Sequence, residues 1–275
     1  RHAFSPTHLS TAIDFPRLER LPLMVDTEFG GPSQDLPTLS VVIPVRDEVE
    51  NVAQLSREIR HALEGRQCFE IIFVDDASTD ATVERILAVR DAEVPQIRLL
   101  RHDVGCGQSV AVLTGVRAAR AEWIVTLDGD GQNDPADIPA LLQVLDDSGG
   151  TLRLIMGNRL QRHDTAVRRL ASRIANGVRR RLLRDGTPDT GCGIKLFHRQ
   201  TFLELPAFNH MHRFLPALFL RAGAPTTSVA VSHRPRLCGK SKYGIGNRLW
   251  VGIVDLFGVR WLIRRAPLRV KIKEE

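Results

Sequence analysis

Two carboxylates one residue apart, Asp128 and Asp130, follow directly on the run Trp123-Ile124-Val125-Thr126-Leu127. Five mostly apolar, partly β-branched residues read as a buried strand, and Gly131-Gln132-Asn133-Asp134-Pro135 behind the pair is rich in turn formers. An acidic pair at a strand end offers oxygen ligands to a hard divalent cation, and such a cation commonly also takes oxygens from a substrate phosphate. The same residues read equally as caps for a helix starting near Pro135. The pair alone leaves both readings open.

The elements that must position this pair are legible on either side of it. Residues 39–44 form a short apolar strand, 51–63 carry helical spacing, and 71–74 form a second strand ending in Asp75-Asp76. A second helix spans 80–90, a third strand 97–100, a third helix 108–119, and 123–127 is the fourth strand. This alternation predicts an α/β fold, a mainly parallel sheet with helices on both faces. In such sheets ligands sit outside the carboxyl ends of the strands. Strands ending in Pro44 to Glu48, Asp75-Asp76 and Asp128 to Asp130 therefore bring acidic residues to one rim. Beyond residue 150 the pattern changes. A strand at 154–157 precedes a helix at 164–184 carrying seven arginines, then a turn at 189–193, a strand at 194–197 and a late strand at 229–231.

Composition narrows the classes. The chain has 275 residues, 43% hydrophobic and 25% charged, the balance of a soluble globular protein with a full core. A net charge of +6 favours anionic partners: a phosphorylated substrate, an acidic membrane or nucleic acid. Nucleic acid is disfavoured, because aromatic content is 5% and no helix-turn-helix or RNA-binding signature occurs. Gly105-Cys106-Gly107 lacks the third glycine of a dinucleotide fingerprint, which is Val110 here, and follows the third strand rather than the first. Cys68, Cys106, Cys192 and Cys238 lie far apart, without zinc-ligand spacing, as in a reduced cytosolic protein. No apolar leader follows Arg1, so no signal peptide is expected, and no apolar run reaches the ~18 residues of a membrane span. Residues 1–37 hold five prolines and read as an N-terminal extension.

Several motifs occur in a telling order. They are 41–48 (Val-Val-Ile-Pro-Val-Arg-Asp-Glu), 74–80 (Val-Asp-Asp-Ala-Ser-Thr-Asp), 128–132 (Asp-Gly-Asp-Gly-Gln), Gly157-Asn158-Arg159, Arg168 with Ser172 and Asn176, Asp189-Thr190-Gly191, and Arg236 with Gly239-Lys240-Ser241-Lys242. Over roughly residues 38–262 the chain resembles the GT-A (Rossmann-like) glycosyltransferases of family 2. Within them it is most similar to the dolichol-phosphate mannose synthase-like group and its bacterial polyprenyl-phosphate relatives. The resemblance implies a nucleotide-sugar site lined by Pro44, Arg46, Glu48, Val74 and Asp76, then by Asp128, Gly129 and Asp130, and on the far side by Arg236 and Lys242. It implies Mg2+ or Mn2+ on Asp128, Asp130 and Gln132, and catalytic roles for Asp130, Arg159 and Arg168. Departures are Arg46-Asp47 where the family often has Tyr-Asn, and Gly129 where Ala or Leu is usual. Some relatives carry C-terminal transmembrane helices, and this sequence ends without them.

The acceptor decides what else such a site needs. A sugar hydroxyl must lose a proton to a general base, for which Asp134 is the candidate, although Asn133-Asp134-Pro135 also reads as a helix start. A polyprenyl phosphate is already an anion and needs cations instead. Arg159 and Arg168 are the expected acceptor-phosphate residues, with Arg236 and Lys242 supplying further charge. The expected reaction is inverting transfer of a sugar from a nucleotide diphosphosugar to a polyprenyl phosphate. Residues 38–244 form the expected catalytic domain. Residues 245–275, apolar with two tryptophans and then basic, read as C-terminal interfacial helices for a membrane surface, or as a homo-oligomer contact. The expected location is cytoplasmic, peripheral on the inner face of the cell membrane.

Overall fold

The computed structural model describes residues 36–159, 177, 179–235 and 245–266. Its centre is a sheet of seven strands: β1 Leu39–Val45, β2 Phe69–Asp75, β3 Ile97–Arg101, β4 Trp123–Thr126, β5 Leu154–Arg159, β6 Lys195–His198 and β7 Thr226–Val231. They lie in the order β3-β2-β1-β4-β6-β5-β7. The helices described over their full length are α1 Val52–Leu63, α2 Thr82–Ala92, α3 Gln108–Ala118, α4 Ile138–Asp147, α5 Arg199–Leu203, α6 Leu215–Arg221 and α7 Ile245–Arg264. Single 3-10 turns occupy Pro135–Asp137 and Met211–Arg213.

The strands run apolar without a break because both faces of the sheet are covered. In β1, Leu39, Val41, Ile43 and Val45 enter one core with α1, α2 and α4, while Val42 enters the other with α3, α5 and α6. In β2, Phe69, Ile71 and Phe73 face the first core, and Ile72 and Val74 the second. Helix α3 sits unusually close to the sheet. A Cβ on Gly115 would collide with Val42, so only glycine allows this approach. The close fit brings the first residues of α3, Gln108 and Ser109, up to the rim where β1, β2 and β4 end.

The expected mainly parallel sheet is present, with one reversal. β6 runs antiparallel to β4 and β5, pairing Lys195 with Thr126 on one side and with Met156 on the other. Apolar spacing reports burial and not direction, so this reversal was invisible in the sequence. Helices α5 and α6 were not anticipated either, since five and seven residues are too few for a periodic signal. Of the arginine-rich helix expected at 164–184, residues 177 and 179–183 are helical, Arg184 leaves the helix with a positive φ, and 164–176 and 178 lie outside the described residues, as do 1–35, 236–244 and 267–275.

Helix α7 is apolar on two sides. Leu256, Val259 and Ile263 pack into the second core, and the Arg221 guanidinium donates to the Leu262 carbonyl at 2.9 Å. Val254, Phe257 and Trp261 are more than half exposed. Among the described residues no helix is long and apolar enough to cross a membrane.

Candidate active site

The rim at the carboxyl ends of β1 and β2 is tied together by side chains gripping main chain. The Asp47 amide donates to Ser78 Oγ at 2.9 Å, and the Asp47 carboxylate accepts from the Thr79 amide at 2.7 Å. The Glu48 amide donates to Thr82 Oγ1 at 2.8 Å, and the Glu48 carboxylate accepts from Asn51 at 2.6 Å. Pro44 is half-buried at the end of β1. Val74 is fully buried in the second core, so it can offer a ligand only its main chain. Arg46 is exposed, and its guanidinium crosses to the loop after β3, where Nη1 lies 2.5 Å from the position a Cβ on Gly105 would take.

Asp76 anchors that same loop. Its Oδ1 accepts from the Cys106 amide at 2.7 Å and meets His102 Nδ1 at 2.9 Å, and its Oδ2 accepts from the Gly107 amide at 2.8 Å. Burial opposes its charge, but His102 and the two amides outweigh it and hold the carboxyl below its ordinary value. Asp76, His102 and Cys106 also form the tight trio of metal-capable side chains among the described residues, with ligand atoms within 4.8 Å of one another.

Asp128 and Asp130 stand at the end of β4, beside α3 and β6. Asp128 Oδ1 accepts from Gln108 Nε2 at 2.8 Å, and the Asp128 amide donates to Asn133 Oδ1 at 3.2 Å. Asp130 Oδ1 accepts from the Gln132 amide at 3.1 Å, which turns the chain there. Gly129 has no room for a side chain, since a Cβ would lie 2.7 Å from Val45 and 3.1 Å from the Pro44 carbonyl. That crowding accounts for the glycine. Burial and the neighbouring Asp130 push the Asp128 carboxyl up, while Lys195, Arg159 and Gln108 pull it back.

Asp134 is occupied as a structural group. It accepts from the Ala136 amide at 2.9 Å as the cap of the following turn, and it pairs with Arg234 at 2.7 Å. Arg234 also holds Glu58 on α1 at 2.7 Å, and its amide donates to the Gln132 carbonyl at 3.0 Å. The loop behind the acidic pair is thus fastened to β7 and α1.

Arg159 ends β5 and forms a fork with Asp189: Nε to Oδ2 at 2.7 Å and Nη2 to Oδ1 at 3.1 Å. Burial works against its charge, and Asp189 more than restores it. Arg168, Arg236 and Lys242 lie outside the described residues. Arg179, from the arginine-rich segment, is buried against Asp185 at 3.3 Å and donates to the Thr187 carbonyl, a structural role.

Three site residues escaped the sequence reading. Gln108 was hidden in a helix start, although its place behind Gly105-Cys106-Gly107 marks it as rim-facing. Lys195 lies in the run Ile194-Lys195-Leu196-Phe197 and is only 5% exposed. A lone lysine in a short buried strand was the available signal. His212 is half-buried, with Nδ1 2.7 Å from Ser109 Oγ, and desolvation drives its pKa down to about 3.

Comparison with known proteins agrees with this geometry. The profile of Glycosyl transferase family 2 matches residues 40–205. The chain is 34% identical over 240 residues to a dodecaprenyl-phosphate galacturonate synthase from Rhizobium johnstonii, covering 86% of this chain and 70% of that protein. It is 32% identical over 206 residues to an undecaprenyl-phosphate 4-deoxy-4-formamido-L-arabinose transferase from Pseudomonas aeruginosa, covering 74% of this chain and 60% of the relative. The chain thus spans some 60–70% of the length of these relatives. Among solved structures, glucosyl-3-phosphoglycerate synthase from Mycobacterium tuberculosis, in complex with Mn2+, UDP and glucosyl-3-phosphoglycerate, superposes with a TM-score of 0.61 at 19% identity, covering 84% of this chain and 81% of that one. The GT-A fold expected from the sequence is the fold observed. The chain belongs to glycosyltransferase family 2.

Proposed function

We propose that the chain performs inverting transfer of a sugar from a UDP-linked donor to the phosphate of a polyprenyl lipid. The observation that carries this reading is that Arg159, a half-buried guanidinium at the end of β5, and Asp128, just past the end of β4, leave the same rim from the two strands that flank β6, with Asp130 next in the chain. A cation that can orient an anionic acceptor thus stands beside carboxylates that can hold a cation. The acceptors named for the two relatives, dodecaprenyl and undecaprenyl phosphate, support the lipid phosphate. The engagement of Asp134 as cap and Arg234 partner argues against a general base for a hydroxyl acceptor.

The donor set fits Mg2+ or Mn2+: Asp128 and Asp130 supply oxygens, with Gln132 a third candidate. A bound divalent ion would neutralise charge on the departing nucleoside diphosphate. Glu48, Arg46, Pro44 and Asp76 would frame the nucleoside, Asp76 largely by fixing the 102–107 loop. Arg236 and Lys242 would meet the donor diphosphate. Asp189 aligns Arg159, and together with Arg168 this guanidinium would hold the acceptor phosphate. The acceptor's phosphate oxygen attacks the anomeric carbon, the bond to the diphosphate breaks, and its electron pair leaves on UDP. A single displacement inverts the anomeric centre. The exposed Ile253, Val254, Phe257 and Trp261, followed by Arg264 and Arg265, suit an anionic lipid interface, where the acceptor resides.

The test is a transfer assay with Mn2+, a panel of UDP-sugars and either undecaprenyl phosphate or undecaprenol. The proposal expects a glycolipid from the phosphate alone, abolished by EDTA. Transfer to undecaprenol, or to a soluble sugar in preference to both lipids, would overturn it.

A further inference from the structure

Lys195 touches no surface that a substrate could reach, yet it carries a charge into the centre of the site. It lies in β6 opposite Thr126, two residues before Asp128 on the neighbouring strand. Ile194 and Leu196 face the first core, so the Lys195 side chain lies on the opposite face of the sheet. Leu127 also faces the first core, which puts Asp128 on the same side as Lys195. The two strand ends come very close: a Cβ on Gly193 would fall inside van der Waals contact with the Asp128 carboxylate. The Lys195 ammonium donates to the Cys192 carbonyl, its one hydrogen-bond acceptor among the described residues. Burial pushes the Lys195 ammonium's pKa down, and Asp128 is the largest influence holding its charge in place.

A buried ammonium with a single hydrogen bond is costly, and a well-packed apolar side chain of similar length is often neutral or stabilising in such a place. Structure alone therefore gives little reason for a lysine. The charge balance does. Lys195 and Arg159 are the two cations whose charge opposes the Asp128 carboxylate most strongly among the described residues. Removing Lys195 would take away one of the two cations that offset Asp128, the carboxylate a divalent cation would meet.

We propose that Lys195 is the resident counter-charge of the metal carboxylate Asp128, weakening the chain's hold on a free divalent cation so that firm binding needs the phosphates of the nucleotide. Lys195 is thus a positioning residue, acting through Asp128. The cation arrives with the donor and can leave with the nucleoside diphosphate. The inference rests on the assignment of the metal to Asp128 and Asp130.

The experiment is titration of Mn2+ at pH 8, free Mn2+ being read by electron paramagnetic resonance, with and without UDP. Wild type, Lys195→Met, Lys195→Arg and Asp128→Asn are compared, with thermal melting to check each fold. Lys195→Met should bind Mn2+ without UDP on the order of tenfold more tightly than wild type, since opposing charge at short range is removed. The gain in Mn2+ affinity on adding UDP should shrink by a similar factor, and Lys195→Arg should behave as wild type. Lys195→Gln carries the same expectation should the methionine variant not fold. A folded, neutral variant binding Mn2+ no more tightly than wild type would overturn the inference. Unchanged Mn2+ binding by Asp128→Asn would instead overturn the metal assignment beneath it.

Discussion

The two halves of the site hold their charged groups by different means. On the side of β1, β2 and β4, carboxylates are held by main-chain amides: Asp76 by Cys106 and Gly107, Asp47 by Thr79, Asp80 by Thr82 and Asp130 by Gln132. On the side of β5 and β6, buried ions are held by other ions: Arg159 by Asp189, Arg179 by Asp185 and Lys195 beside Asp128. An amide orients a carboxylate without cancelling its charge, which suits a carboxylate meant for a cation. A guanidinium fork cancels charge as it orients, so the second half is a balanced frame. One half should therefore fail in function when a charge is removed, and the other in stability.

The sharpest break of that contrast is Asp130→Asn. It should lower turnover by about a thousandfold or more while thermal melting stays within a few degrees of wild type, because a neutral amide keeps the turn but not the cation. An active variant would detach Asp130 from the chemistry. In the other half, Asp189→Asn leaves the Arg159 guanidinium buried with its partner gone. It should cost about 3–5 kcal/mol in denaturant unfolding, and Arg159→Met in the same background should recover much of that stability without activity. Equal stability of Asp189→Asn and wild type would show that the fork is not a structural pair.

A smaller effect comes from His212, whose half-buried imidazole is neutral and packs against Ser109. Its folded pKa of about 3 lies below its unfolded value of 6.5, so the unfolded chain takes up the proton first as pH falls. Its contribution to stability is therefore present above pH 6.5 and is lost as pH falls toward 3. Between pH 7 and pH 5 the loss is about 2 kcal/mol. His212→Gln should flatten that slope in melts taken at both values, and an unchanged slope would assign the loss to other groups.

The same division governs how much was legible in the sequence. The strands of the first half read clearly because burial on both faces makes them continuous apolar runs, and their ends carry the acidic motifs. The Asp128-Gly129-Asp130 turn was found for that reason. The second half was harder. Lys195 looks like an ordinary surface residue until the antiparallel placement of β6 buries it, and apolar spacing says nothing of strand direction. Asp189 was part of a motif, but its grip on Arg159 depends on a turn and a strand end thirty residues apart meeting in space. Gly129 and Gly193 are explained only by the neighbours that a Cβ would strike.

The most direct measurement is phosphorus NMR of a complete reaction containing the protein, Mg2+, a UDP-sugar donor that it accepts and undecaprenyl phosphate. The account requires UDP and one new lipid phosphodiester to grow in equal amounts, with the monoester of the acceptor falling to match. Release of UMP with a diphosphate-linked lipid, or UDP with no change in the lipid phosphate, would contradict it.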